Sequence, residues 1–288
     1  MKITFLGTGS AHSYPLTFCR CDNCEQARAI GGPSLRKRSS ILVNRDLIID
    51  LGPDIMTSSF LCHCSISDIR YCLQTHPHSD HLSVSHLFTR HPEYAPINVP
   101  LLHFFASTAT LKKAAELTKD EFADASLLDA AYCRQLNLEI HEIEALSPFK
   151  VGTYQVTAFS ANHDASVDPL LYAISNGGQT IFYGTDTAAL TEETWRGFHI
   201  QELVFDVVIL DHTYGPGFSR NDHLDALQFV QHIVRMRKER LLTEHARIFA
   251  THISHEGNPV HPELSKYAAQ HGYEVAYDGL IINGQHSD

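Results

Sequence analysis

The stretch Thr75-His76-Pro77-His78-Ser79-Asp80-His81 places four side chains able to bind a metal within six residues. Imidazole nitrogen and carboxylate oxygen are ligands for zinc, manganese or iron. Tyr71 to Thr75 (YCLQT) reads as a β-strand running into a loop. In extended chain residues two apart project to the same side, so His76 and His78 can share one ion. Pro77 between them disfavours a helix, which excludes the helical metalloprotease pattern of two histidines four residues apart. A bend after Ser79 would turn Asp80 and His81 toward a second position. Two ions about 3.5 to 4 Å apart form a common hydrolytic clamp, with an activated water between them. The spacing therefore predicts a two-metal hydrolase. The alternative is a solvated turn in a chain with 20 histidines, but surface histidines need no such spacing.

A dinuclear centre needs further ligands, each placed where a strand gives way to a loop. Three residues fit: His163 after Tyr154 to Ala161, Asp186 after Ile181 to Gly184, and His252 after Ile248 to Thr251. Asp186 can bridge both ions through its two oxygens, and its charge offsets their repulsion. Singly, each residue would be an ordinary turn or capping residue; the shared placement is the signal. A second kind of site is offered by Cys19-x-Cys21-x2-Cys24, three thiolates at nearly the spacing of a structural zinc loop but one ligand short of a tetrahedron. His255, three residues beyond His252, is expected as the fourth ligand. Cys62-His63-Cys64 competes less well. In a helix its two thiols point apart, so buried, inert cysteine is expected there, as for Cys72 and Cys133.

The elements that must position these groups begin with β-rich runs, Ile3 to Leu6, Ser40 to Val43 and Leu47 to Asp50, with Asn44-Arg45-Asp46 as a turn. From Asp54 onward, helix-like stretches (Val84 to Arg90, Ser107 to Leu117) alternate with strand-like ones (Val99 to Leu102, Tyr154 to Ser160, Leu171 to Ile174, Thr180 to Tyr183, Val207 to Leu210). That alternation predicts an α/β (α+β) fold of mixed sheets covered by helices. Asn176-Gly177-Gly178-Gln179 is a hairpin signal. Asp222 to Glu239 reads as a helix, with Leu224, Leu227, Val230 and Val234 at helical spacing and Arg237, Lys238 and Arg240 opposing its dipole. One domain over 1–288 is expected, with a zinc loop near 19–24 and a helical elaboration near 103–150. That elaboration, helix-prone over Leu111 to Arg134, is read as an insertion, lid or dimer contact.

A composition of 43% hydrophobic and 19% charged residues is that of a globular protein. The net charge of -11 disfavours a general nucleic-acid surface. MKITFLGTGS lacks a signal-peptide core and no run approaches about 18 apolar residues, so a cytoplasmic chain without a membrane partner is expected. Seven cysteines, an odd number, fit metal binding or free thiols better than a disulfide framework.

His76-x-His78-x-Asp80-His81, His163, Asp186 and His252, preceded by Asp50 in LIIDLGP, resemble the ordered motifs of the metallo-β-lactamase superfamily through nearly the whole chain. The resemblance implies an αββα sandwich, two facing mixed sheets flanked by helices, with metals at one edge and Asp50 buried beneath the ligand loops. It implies that His76, His78 and His163 hold one ion and Asp80, His81 and His252 the other, with Asp186 between them. Substrate is not implied, because lactamases, thioesterases, lactonases and nucleases share the motif.

Further segments resemble one branch, the PhnP-like phosphoribosyl cyclic phosphate phosphodiesterases. They are FLGTGSA at residues 5 to 11, the cysteine loop with Ala27-Arg28, Arg36-Lys37-Arg38-Ser39-Ser40, Leu51-Gly52-Pro53-Asp54 and Thr251 to His255. The branch implies two active-site ions, one structural zinc on Cys19, Cys21, Cys24 and His255, and a homodimer; histidine and carboxylate ligands admit manganese, zinc or iron in the active site. It also implies a catalytic histidine near the start of a late helix, matched by His223. The reaction implied is hydrolysis of a small, cyclic phosphodiester by a hydroxide between the ions, with Asp80 orienting it. His223 would stabilise the phosphate or protonate the leaving alkoxide. Arg36, Lys37 and Arg38 are expected to attract an anionic sugar phosphate or to form a solvated basic turn. A tRNA 3′-end processing nuclease shares the metal cradle, against which stand the acidic charge and the lack of an obvious Gly/Pro-rich arm. A thioesterase or lactonase is not expected to carry the cysteine loop, whereas relatives in pyrroloquinoline quinone biosynthesis do. A non-enzymatic metal-binding protein is the remaining class.

Overall fold

The structure, a computed structural model, describes residues 1–121 and 126–283. Two seven-stranded mixed sheets face each other. The first contains β1 (Lys2–Gly7), β2 (Ser40–Val43), β3 (Leu47–Ile49), β4 (Tyr71–Leu73), β5 (Leu102–Ala106) and β6 (Leu138–Glu142), in the order β14-β1-β2-β3-β4-β5-β6, where β14 is Ile281–Asn283. The second contains β7 (Pro148–Val151), β8 (Tyr154–Ser160), β9 (Leu170–Asn176), β10 (Gln179–Gly184), β11 (Phe205–Asp211), β12 (Leu242–Thr251) and β13 (Glu274–Val275), and its spatial order is the sequence order. Strands β3 to β6 are parallel, as are β10 to β13.

Both faces of each sheet are covered, which is why strands such as Ser-Ile-Leu-Val in β2 read as unbroken buried runs. Ile3, Phe5, Ile49 and Leu73 meet Tyr172, Ile181, Tyr183 and Ile209 between the sheets. Leu42, Ile48 and Phe104 turn outward beneath α2 (Ile55–Leu61), α3 (Ser85–Phe88), α4 (Thr108–Glu121) and α5 (Ala130–Gln135). Phe182, Val208 and Leu210 turn outward beneath α1 (Asp22–Ile30), α6 (Glu192–Ile200), α7 (Ala226–Lys238) and α8 (His261–Gln270). The result is the αββα sandwich that the motifs imply. Gly177 and Gly178 take φ of 61° and 86°, the positive values that a two-residue hairpin turn between β9 and β10 requires.

Several expectations are corrected. The segment near 103–150 holds β5, β6 and β7 beside α4 and α5, so it supplies an edge strand to each sheet rather than a helical elaboration. The strand expected over Val99 to Leu102 begins only at Leu102. The helix expected from Asp222 starts at Ala226, because Asp225 accepts from Gln228 N and the Gln228 side chain accepts from Asp225 N in a capping box. Its buried stripe is Ala226, Phe229, Ile233 and Met236, and the expected core residues Leu227 and Val234 are exposed. Cys62 and Cys64 lie in the turn that ends α2, partly buried, whereas Cys72 and Cys133 are buried as expected. Arg36, Lys37 and Arg38 form neither a phosphate attractor nor a solvated turn. Arg36 is buried against Thr8, Ala276 O and His261, and Lys37 and Arg38 pair with Asp278 and Asp54. Among the described residues no helix is long and apolar enough to cross a membrane.

Candidate metal centre

The carboxyl ends of β3, β4, β8, β10, β11 and β12 open on one edge of the sandwich, the place where α/β sheets gather ligands. Past Leu73 the chain leaves β4 and turns over Ser79 to His81, with His81 N and Leu82 N both bonded to His78 O. Gln74 ties this loop from inside, its Nε2 donating to Asp50 Oδ1, His76 O and His81 O. Asp50, Asp186 and His252 each follow a strand and take φ of 66°, 59° and 59°. Left-handed backbone at a non-glycine residue costs about 1 to 3 kcal/mol and persists where the surroundings over-determine it.

Two sets of side chains converge. His76, His78, His163 and Asp186 have ligand atoms within 4.8 Å of one another, as do Asp80, His81, His252 and Asp186. Asp186 belongs to both sets. Three of the histidines are turned by a partner behind them: Thr75 Oγ1 lies 3.0 Å from His76 Nδ1, Asp50 Oδ2 lies 2.7 Å from His81 Nδ1, and Thr213 Oγ1 lies 2.8 Å from His252 Nδ1. Their Nε2 atoms therefore face inward, the arrangement by which proteins fix the tautomer of ligating histidines. Those nitrogens come within 2.9 to 3.7 Å of Asp80 and Asp186 oxygens. Yet His76 Nε2, His81 Nε2, His252 Nε2, Asp80 Oδ2 and Asp186 Oδ1 are buried with no hydrogen-bond partner. Buried polar atoms are normally satisfied, and these aim at common points rather than at each other, so the donor set fits divalent cations.

The electrostatics agree in direction. Burial pulls His76 down to about 4, with neighbouring His81 adding to the effect, and burial also lowers His163. His81 is held well above its ordinary value despite burial, because Asp80 and Asp50 face it. Burial likewise opposes ionisation of Asp186, but His252 and His76 hold it far below the carboxylate range.

His223 sits beside this centre, though in the loop before α7 rather than in the helix. Its Nδ1 is 3.1 Å from Asp211 Oδ2 and 3.2 Å from Asp186 Oδ1. Burial alone would lower its pKa, but Asp211 reverses this and raises it to about 9. Asp211 was missed in the sequence, although it too ends a strand. It accepts from Thr187 N and Thr213 N as well as facing His223. Asp164, 3.3 Å from His78 Nε2, was also missed.

Cys19, Cys21, Cys24 and His255 form a separate group with ligand atoms within 4.8 Å. His255 Nδ1 lies 3.8 Å from Cys19 Sγ and 3.5 Å from Cys21 Sγ. Cys21 caps α1, so the helix start holds Cys24 in line, and Asn23 Nδ2 donates to His255 O to join the two segments. Burial pushes the Cys24 thiol up to about 12. Four N and S donors at this spacing suit a structural zinc.

Residues 45–246 match the family model described as a beta-lactamase superfamily domain. Similar solved structures include a diphosphatase from the PhnP family, at 20% identity and a TM-score of 0.72, covering 99% of this chain and 98% of that one. Zn(2+)-bound PqqB from Methylobacterium extorquens is also 20% identical, with a TM-score of 0.68 and coverage of 98% and 100%. Human tRNase Z, short form, is 16% identical, with a TM-score of 0.64 and coverage of 98% and 99%. No curated protein matches the sequence. With most of its length matched by the family model and the ordered ligand motifs gathered at one edge of the expected sandwich, the chain belongs to the metallo-β-lactamase superfamily of metal-dependent hydrolases.

Proposed function

We propose that this protein is a dinuclear phosphodiesterase acting on a small, cyclic phosphodiester, in the manner of PhnP-like enzymes. The observation that carries the reading is His223 placed against Asp186 and Asp211 at the rim of a complete seven-residue ligand set. His76, His78 and His163 would hold one cation and Asp80, His81 and His252 the other, with Asp186 between them. Such a pair, manganese, zinc or iron, supplies a water whose pKa is near 7 and a clamp for phosphoryl oxygens. Asp80 would orient the attacking water as well as hold its cation. His223 is held at Nδ1 by Asp211 and Asp186, which leaves Nε2 for a phosphoryl oxygen or the leaving alkoxide. Asp50, Asp80, Asp186 and Asp211, all buried, would repel a phosphate on their own, so the cations and His223 must offset them.

A cavity of about 430 Å³ lined by Ser107, Thr108, Glu144, Ser160, Asp168 and Leu170 offers room for the organic half of the substrate. Leu170 N donates to Thr75 O, one residue before His76, so this cavity adjoins the ligand loop. Its carboxylates and hydroxyls suit the hydroxyl groups of a sugar. A diphosphate ester is the second reading, favoured by the likeness to the PhnP-family diphosphatase. A polyanionic tRNA fits a chain of net charge -11 less well.

The test is a manganese-supplemented assay against bis(p-nitrophenyl) phosphate, 2′,3′-cyclic nucleotides, a ribose cyclic phosphate, a diphosphate ester, a lactone, a thioester and tRNA. Turnover is expected on the cyclic phosphates. Turnover on the lactone or thioester alone would overturn the reading. His223→Ala should lower kcat on a poor leaving group by about 10² to 10⁴-fold with metal content unchanged.

A further inference from the structure

His103 on β5 and Glu139 and His141 on β6 form a third cluster of metal-ligating type, away from both sites above. The two strands are parallel, with His103 opposite Glu139 and Phe105 opposite His141. Leu102, Phe104, Leu138 and Ile140 alternate with them and pack beneath the helices, so the cluster lies on the other face, which looks toward the second sheet. On the same face of the neighbouring strands Leu47, Ile49 and Leu73 are buried core, with Tyr71 half-buried at its margin. Here, on the last two strands of the sheet, two imidazoles less than one-third exposed and a half-exposed carboxylate stand instead.

The separations are near those of a coordination sphere. His103 Nδ1 and His141 Nε2 are 3.0 Å apart, His103 Nδ1 is 3.5 Å from Glu139 Oε2, and His141 Nε2 is 3.5 Å from Glu139 Oε1. Bonds of about 2.0 to 2.2 Å in a tetrahedron place ligand atoms about 3.3 to 3.6 Å from one another; both His–Glu distances fall in that range, and the two rings, hydrogen-bonded to each other at 3.0 Å, would have to part slightly to admit a cation. Both rings are held from the side: Tyr71 stacks on His103 at 5.6 Å and Phe105 on His141 at 4.3 Å.

We propose that His103, Glu139 and His141 form a third metal site, taking a divalent cation of the zinc class, with its fourth position open to water, and clipping edge strand β6 to β5. The site does not depend on the reaction proposed above. Its donors are two nitrogens and a carboxylate on rigid strands, a set that suits zinc better than calcium or magnesium.

The experiment compares bound zinc, after stripping and dialysis at fixed micromolar free zinc, in the wild type and the His103→Gln, His141→Gln double variant. The variant is expected to bind one equivalent fewer while keeping its phosphodiesterase activity and circular dichroism. Equal stoichiometry in a folded variant would overturn the site. Carbethoxylation of the wild type gives an answer that needs no variant. With zinc present, His103 and His141 should be modified at least about tenfold more slowly than with chelator, since a coordinated nitrogen is not free to react. The same modification rate in both conditions would overturn the proposal.

Discussion

Asp50 controls how the histidine-rich loop presents itself. Its two oxygens accept from Gln74 Nε2, Thr75 N, Thr75 Oγ1 and His81 Nδ1, so one buried carboxylate orients His81 directly and His76 through Thr75. Asp50→Asn keeps the shape but replaces an acceptor by a donor. Loss of such a partner behind a ligand typically costs 10 to 100-fold in metal affinity. Equilibrium dialysis should show that loss at the proposed dinuclear centre with the cysteine site still loaded; unchanged affinity would remove Asp50 from this role. A second buried residue sets the response to acid. His212 is fully buried with Nε2 2.9 Å from the Tyr273 hydroxyl, and burial lowers its pKa from 6.5 to about 4. Between those values the unfolded chain holds the proton and the native one does not. The stability tied to His212 is therefore complete above about pH 6.5 and is lost as pH falls, by about 3 kcal/mol at pH 4. Urea midpoints of the wild type and His212→Gln at pH 7 and pH 5 should show the smaller acid loss in the variant, and equal losses would refute it. At this scale the local pattern was legible and the non-local one was not. His76 to His81 announce themselves within six residues, whereas Asp211 acts through residues remote in the chain. Arg36 to Arg38 look like a solvated charge run until Asp54, His261 and Asp278 are brought against them.

Among the elements, α7 shows how a cap can serve a site. Its capping box at Asp225 fixes where the helix begins, and the turn immediately before carries His223, with Leu224 N bonded to Thr187 O and Tyr214 N to Leu224 O. Asp225→Ala should cost about 1 kcal/mol of stability, the usual worth of an N-cap. Because the His223 turn loosens with it, kcat should fall while metal content stays level. A urea titration and a metal assay check both parts, and an unaltered kcat in a destabilised variant would separate the cap from the site. The same helix explains a misreading. Leu227 and Val234 fit a helical stripe as well as Phe229 and Ile233 do, and which stripe is buried depends on the sheet beneath, which periodicity cannot show. Strands β6 and β7 were missed for a related reason: at sheet edges Glu139, His141 and Lys150 interrupt the apolar pattern by which strands are recognised. Central strands such as β9, β10 and β11, buried on both faces, were legible.

For the whole molecule, the candidate metal centre stands where its two sheets meet. His76, His78, Asp80 and His81 belong to the loop after β4 in the first sheet, and His163, Asp186 and His252 follow β8, β10 and β12 in the second. Without cations, Asp80 and Asp186 stand buried beside unpartnered ring nitrogens at this seam, and bound cations would tie the two sheets together at one edge. A ligand bound only by the folded state at 100 times its Kd adds about 2.7 kcal/mol per site. In a chain of this size each kcal/mol moves Tm by about 2 °C, so removing one such ion should lower Tm by about 5 °C. Thermal melts with manganese and with a chelator measure the shift. Cys21→Ser separates the two contributions, since a drop arising at the seam persists in that variant and one arising at the cysteine loop disappears. Persistence, together with a smaller shift in His163→Ala, which removes one ligand contributed by the second sheet, is the result expected of a staple. Melts of the Cys21→Ser protein that coincide with and without chelator would mean that the ligands converge without holding the sheets together.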